Sequence, residues 1–310
     1  MGAQSTDWSA PVKLSTAKMF VLLRRIVGYV LAVSPVLVVF LLSFAVFAQP
    51  AHDPRELVRQ AVATELAVPF LAENCIYQYH RVLAGKQETL LMIRSSEGLL
   101  LGKVVRVGDV PVSADEARKE DDRLRHLLKD SSAQQQQQRR QQRIEHYIRE
   151  LIEALPQAFH YTETETEVAA DGGHLIHLAF QPAPDYHPAS AELEVMRGLS
   201  GVMVIHDRRK RIMRLEAHLF REVDFGWGIL VQVNKGGNLL LEREPASPPG
   251  SDVRVFSLNI DGRILLLKKL EIHWTFDHFA YLPRALNLAS AVSLLTAPDV
   301  GGYTDGSPSR

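Results

Sequence analysis

Apolar and polar positions along this chain follow two different periods, and the changes between them outline its elements. Leu57, Val58, Ala61, Val62 and Leu66 recur at the spacing of one helical face. Asp53 is placed to cap that helix, Pro54 suits its first position, Glu56 completes a box-like start, and Pro69 marks its end. From Asn74 to Val112 the runs shorten. Residues 76–83, 88–94 and 99–107, separated by Ala84-Gly85-Lys86 and Ser95-Ser96-Glu97-Gly98, predict an antiparallel meander of three strands. Ser113-Ala-Asp-Glu116 is a capping box that opens a charged helix with Leu124, Leu127 and Leu128 apolar. Ser131-Ser132 interrupts it. Gln134 to Gln138 then read as the solvated part of a second helix, whose stripe is Ile144, Tyr147, Ile148, Leu151, Ile152 and Leu155, stopped by Pro156.

From Phe159 to about Phe279 the period is that of strands. Asp171-Gly172-Gly173 turns into residues 174–180, and a proline-rich loop (Pro182, Pro184, Pro188) follows. Strands are then predicted over 201–206, 212–220, 224–233, 238–244, 253–260 and 263–276, with turns at 207–210, 234–237, 245–250 and Asp261-Gly262. Short turns with no helix between them require antiparallel pairing. Met213, Leu215, Ala217 and Leu219 share one side of their strand. So do Ile264, Leu266, Leu270, Ile272, Trp274 and Phe276, and likewise Phe225, Trp227, Ile229, Val231 and Val233. A sheet with so broad an apolar face must be covered by helices or by a ligand. The helices at 54–68 and 141–155 are available as cover, and Pro283 to Leu295 offers a further helix or a strand-end extension. The expected fold is α+β: one domain over 49–298 with a large curved antiparallel sheet, helices on its concave side, and a helical hairpin inserted at 113–156.

One segment changes the compartment. Residues 26–48 carry no charge and follow Lys13, Lys18, Arg24 and Arg25 in a basic region, 1–25. They are long enough to span a bilayer and are oriented with the N-terminus cytoplasmic. Val46-Phe47-Ala48 also presents small residues for cleavage after Ala48. Export follows either way, to the periplasm or to an inner-membrane anchor with residues 49–310 outside. The last residues, 299–310, read as a disordered tail.

Composition narrows the chemistry. The formal net charge of −1 gives no bulk case for nucleic acid. The single cysteine, Cys75, excludes an internal disulfide and reads as a small buried hydrophobe. His174 and His177 point to opposite faces of a strand and cannot share a metal. His206-Asp207 beside Arg208, Arg209, Lys210 and Arg211 reads as a solvated basic turn, with phospholipid headgroups as the contact to test. Glu163, Glu165 and Glu167 share a parity and read as a polar outer face. Gly226-Trp227-Gly228 lacks the third glycine of a dinucleotide loop, Lys235-Gly236-Gly237 is no phosphate loop, and no Gly-x-Ser-x-Gly occurs. The sequence therefore offers no catalytic residue, metal or cofactor.

The order of elements resembles the LolA/LolB/RseB-type half-barrels of the bacterial envelope, and more closely a group of exported, outer-membrane-lipoprotein-sorting-like bacterial proteins. The resemblance rests on Gly108-Asp109-Val110-Pro111-Val112 before the capping box, Leu155-Pro156-Gln157-Ala158-Phe159, Gly201-Val-Met-Val-Ile-His-Asp207, Val223-Asp224-Phe225-Gly226-Trp227-Gly228-Ile229-Leu230, Lys235-Gly236-Gly237, and Asp261-Gly262-Arg263-Ile264 running on to Lys268. It covers roughly residues 50–280. It implies a non-enzymatic protein whose apolar groove takes a lipid, an acyl chain or a lipidated protein segment. An envelope protein partner, as in the RseB-type sensors, is the alternative. Met213, Leu215, Phe225, Trp227, Ile229, Leu266 and Leu270 are the candidate apolar face.

Overall fold

A computed structural model describes residues 53–67, 70, 74–83, 85–225, 231–244, 253–264 and 268–298. The apolar segment 26–48 with Ala48, the side chains of Phe225, Trp227, Ile229 and Leu266, and the tail 299–310 lie outside the described residues. Among the described residues no helix is long and apolar enough to cross a membrane.

The fold is α+β. Helix α1 (Pro54–Ala67) leads into the meander β1 (Cys75–Leu83), β2 (Lys86–Arg94) and β3 (Leu100–Val107), with a two-residue β4 (Val110–Pro111). Helices α2 (Ala114–Lys129) and α3 (Ser131–Ala158) form the inserted hairpin. Then come β5 (Phe159–Val168), β6 (His174–Pro182), a 3-10 helix (Glu192–Gly198), β7 (Leu199–His206), β8 (Arg211–Leu219), β9 (Val223–Phe225), β10 (Val231–Val233), β11 (Asn238–Arg243), β12 (Val253–Ile264), β13 (Lys268–Tyr281) and α4 (Leu288–Leu295). The strands make one open antiparallel sheet in the order β4-β3-β2-β1-β13-β12-β11-β8-β7-β6-β5, with the β9–β10 hairpin attached to β12. Pairing of β1 with β13 joins the first meander to the last strand.

Local chemistry explains most boundaries. Ser113 Oγ accepts from the Glu116 N–H while the Glu116 carboxylate accepts from the Ser113 N–H, the reciprocal box read from the sequence. Asp130 breaks the hairpin and caps α3 through the N–H groups of Ser132 and Ala133. Helix α3 runs through Pro156 to Ala158 rather than stopping at the proline. In a last turn proline removes only one helical bond, and Leu155, Pro156 and Ala158 are all buried.

Three strand expectations are corrected. Residues 224–233 are not one strand: β9 and β10 pair antiparallel, Phe225 opposite Val231, so the chain reverses between them. Asp261-Gly262 is not a turn but the interior of β12. Gly262 is paired on both sides, and a Cβ there would fall 2.1 Å from the Gln232 carbonyl oxygen. Close backbone approach, not a turn, requires that glycine. Finally, a bulge at Thr164 breaks the shared parity of the acidic run. Glu163 opposes Leu178, whereas Glu165 opposes His177 and Glu167 opposes Leu175, so Glu163 faces away from the other two.

The two sheet edges are guarded differently. Strand β4 pairs only with Arg106 and Val107 of β3. Along the rest of β3, helical side chains take the backbone groups. Glu120 accepts the Val104 N–H, Arg123 donates to the Gly102 carbonyl, and Gln141 and Gln137 hold the N–H and the carbonyl of Leu100. The glutamine tract is thus partly an edge cap. At the other edge, β5 relies on its bulge and its carboxylates, both of which discourage edge-to-edge pairing.

Candidate functional site

Register settles which residues share a face. One row of directly opposed residues runs Leu178, Met203, Leu215, Leu241, Phe256, Phe276, Tyr79, Leu90, Val104 across nine strands. The next row runs Phe180, Gly201, Ala217, Leu239, Leu258, Trp274 and ends on the ion pair Arg81–Glu88, whose closest atoms are 2.8 Å apart. The apolar face is therefore continuous over almost the whole sheet.

Its cover is not continuous. Over β5–β8, Leu57, Val58, Ala61 and Val62 of α1 and Leu155 and Ala158 of α3 pack onto Phe159, Leu178, Met203 and Ile205. Leu178 and Met203 are 0% exposed. Over the central strands the same face is only half-buried: Phe256, Leu258, Ile272, Trp274, Phe276 and Tyr79 all retain accessible surface. Helices α2 and α4 give these residues no cover. They pack on the opposite face, where Leu124, Leu127, Ala291, Val292 and Leu295 bury Ile76, Leu91, Ile93 and Leu101. Helices thus lie on both faces of the sheet, not only on one, because β1–β3 carry apolar residues at both parities.

The central patch is aromatic. Phe70 meets Phe256 edge-on at 5.7 Å between ring centroids, Phe256 stacks on Phe276 at 5.3 Å, and Phe276 lies 4.9 Å from Tyr79. Trp274 and Tyr77 extend the group. Burial pushes the Tyr79 phenol up to about 12, so it remains a neutral donor at physiological pH. Burial likewise raises the Cys75 thiol to about 12, and a side-chain hydrogen bond from Tyr281 offsets it only in part, so the buried thiol stays protonated at physiological pH.

The mid-section of α3 carries an apolar stripe that nothing covers fully. Gln137 and Gln141 hold β3 at one end of the helix, and Leu151 and Leu155 enter the core at the other. Ile144 and Ile148 lie between them on the same helical face, at i+3 and i+4 spacing, yet each is 48% exposed. The stripe is thus anchored at both ends and bare in the middle.

Of the residues chosen from sequence, Leu215 is half-buried at the margin of the α1 core. Met213 is buried at a second bulge, where Ile212 opposes Ile205 and Arg214 opposes Val204, so Ile212 joins the core with Ala217. Leu270 opposes Gly262 on the face of Ile272 and Trp274, half-buried. Phe225, Trp227, Ile229 and Leu266 are placed by no described side chain. Sequence reading missed Tyr77, Tyr79, Phe256 and Leu258. Their signal was present as simple alternation, in Cys75-x-Tyr77-x-Tyr79 and Phe256-x-Leu258-x-Ile260.

The basic turn is solvated only in part: Arg208 is exposed, and its neighbours are not. Arg211 and His206 are buried, and Arg209 is paired with Asp171 at 3.2 Å. His206 Nε2 lies 3.0 Å from Asp171, and Asp207 accepts both the backbone N–H and the ring of His174. Burial pushes the Asp207 carboxyl up, but the His174 and Arg208 hydrogen bonds outweigh it and hold it at about 2, below its ordinary 3.8. A depressed carboxyl contributes stability above its unfolded value and loses it as the pH falls through its folded value. The stability difference between the native chain and Asp207→Asn should therefore be constant above about pH 5 and shrink between about pH 4 and 2, as read by urea unfolding across that range. A difference independent of pH would exclude Asp207 as the titrating group.

No family model, no curated protein and no solved structure matches this chain.

Proposed function

We propose that the chain is an exported, non-enzymatic protein that takes an acyl chain, as a free lipid or on a lipidated protein segment, between the central strands β11–β13 and β1 and the mid-section of α3. One observation carries this reading: a single apolar face is fully buried under α1 but left half-open, and aromatic, over the central strands. The driving force would be removal of apolar surface from water, at about 25 cal/mol per Å². After the cost of association this gives micromolar binding or tighter for one chain of ordinary length.

The curvature expected of a LolA-like half-barrel has separate support. Helix α3 rises about 32 Å between Gln137, which holds β3, and Ala158, which enters β5. The sheet path between those strands is nine spacings, about 43 Å. A straight helix shorter than that path favours a sheet that bends toward α3, with the helix as a strap across its opening.

Photo-crosslinking tests the proposal without purification. A diazirine fatty acid supplied to cells making the full chain should label peptides within Val253–Ile264, Lys268–Tyr281 and the middle of α3. Leu258→Asp should cut that labelling at least tenfold. Labelling confined to residues 26–48, or none, would sink the groove and leave the protein-partner reading in its place.

A further inference from the structure

On the face opposite the aromatic patch, three side chains converge on one point. His80 Nε2 lies 2.9 Å and His278 Nδ1 2.7 Å from the same oxygen, Asp277 Oδ1. The donor atoms all lie within 4.8 Å of one another. Nothing in the linear sequence announces this, because only the β1–β13 pairing brings His80 to Asp277.

The backbone is shaped for the convergence. Neighbours on a regular strand point to opposite faces, so His278 should turn away from Asp277. Instead the register slips between Ile76 and Gln78, opposite His278, and His278 takes φ 49. Only Lys210 shares a positive φ among the described non-glycine residues. Such a conformation is uncommon for a side-chain-bearing residue, and here it re-aims an imidazole onto its neighbour's carboxylate.

The surroundings also suit a ligand set. His80 Nδ1 lies 3.0 Å from Thr89 Oγ1, so the ring is held at both nitrogens, and a proton on Nδ1 leaves the Nε2 lone pair facing Asp277. The side chains of His80, Asp277 and His278 are 37%, 25% and 47% exposed, so an ion can enter and keep water ligands. With bonds of about 2.0–2.1 Å, donors of a tetrahedral site lie roughly 3.3 Å apart, a few tenths of an ångström more than here.

We propose that His80, Asp277 and His278 bind a divalent transition-metal ion of the zinc class, with a fourth position open to water or to an exogenous ligand. Two imidazoles and one carboxylate suit zinc, nickel and copper and disfavour calcium and magnesium. A second convergent group among the described residues, Glu165, Glu167 and His177, has one imidazole and two exposed carboxylates, and serves as the internal control.

Calorimetric titration of the full chain with Zn²⁺ should show one equivalent bound at micromolar affinity or tighter. Co²⁺ in its place should give a visible spectrum of low-coordinate nitrogen ligation. His80→Gln and His278→Asn should each weaken uptake at least tenfold, and Glu167→Gln should leave it unchanged. Asparagine is chosen at 278 because it tolerates positive φ. Failure of the native chain to take up one equivalent, or equal uptake by the double variant, would overturn the site. If the double variant does not fold, modification of the native chain by diethyl pyrocarbonate decides instead. Zn²⁺ should protect His80 and His278 but not the exposed helical His126 and His146, and equal modification of all four would overturn the site.

Discussion

Replacing Glu65 by alanine should lower the stability of the fold by about 3–5 kcal/mol, among the largest effects of any single substitution in this chain. Glu65 projects from the end of α1 into the sheet, where its carboxylate meets Arg243 at 2.8 and 2.9 Å and Arg211 at 3.5 Å. It also accepts the Ile212 N–H at 3.1 Å. The side chains are 8%, 1% and 2% exposed for Glu65, Arg243 and Arg211. Removing the carboxylate takes away an anion that these two buried guanidinium groups share, and breaking a buried ionic network is costly in a way that breaking a surface pair is not. The tie also fixes α1 over β8 and β11, so its loss should loosen a helix that seals the apolar face. Urea unfolding should show a lower midpoint at unchanged slope. A triple variant with methionine at positions 65, 211 and 243 should recover most of the loss, since apolar residues of similar volume can replace a buried ionic group. A loss below about 1 kcal/mol in the alanine variant would mean that the charges are not interdependent.

This tie shows where sequence reading ends. Glu65 followed by Leu66 at a helix end looks like an ordinary solvated acid, and Arg211 looks like one more member of a basic turn. Nothing local distinguishes them from surface residues, because the partners are brought together by tertiary packing alone. The helices and most strands were legible in order, because periodicity and capping act within a few residues: the Ser113–Glu116 box and the α1 stripe are local chemistry, and the hairpin break read at Ser131-Ser132 falls one residue earlier, at the cap Asp130. Parity was legible only as far as the first bulge. Thr164, Met213 and His278 each shift the register by one residue, and a one-residue shift moves everything beyond it to the other face. Gly262 was misread for a related reason. A glycine after aspartate is a turn signal in isolation, and only the third strand lying against it reveals a close approach. The apolar face itself was foreseen, but which part of it the helices leave open depends on where α1 and α3 come to rest.

Leu178 and Leu258 make that difference measurable. Both are leucines on the α1 face of the sheet, and they differ in cover. Leu178 is sealed under the α1 core and 0% exposed, while Leu258, between Leu239 and Trp274, is half-buried. Leu178→Ala removes a fully packed side chain and leaves a cavity, so it should cost about 3 kcal/mol. Leu258→Ala leaves little cavity at a site already open to water, and should cost about 1 kcal/mol. Equilibrium urea unfolding of the two variants reads the gap, and each outcome bears on function. A gap of about 2 kcal/mol means that the central apolar face is stable without a cover of its own and is free to accept one. Equal costs would mean that something already fills the space between α3 and the central strands, and an acyl chain would then have no room there. An occupant supplied by the chain itself would also hold the α3 stripe in place, and Ile144→Ala and Ile148→Ala would then be as costly as Leu178→Ala. With the face open, those two substitutions should change stability by less than about 0.5 kcal/mol, as surface substitutions do, while still weakening fatty-acid labelling. Loss of ligand without loss of fold is the result expected of a binding surface, and the apolar residues under α1 cannot give it.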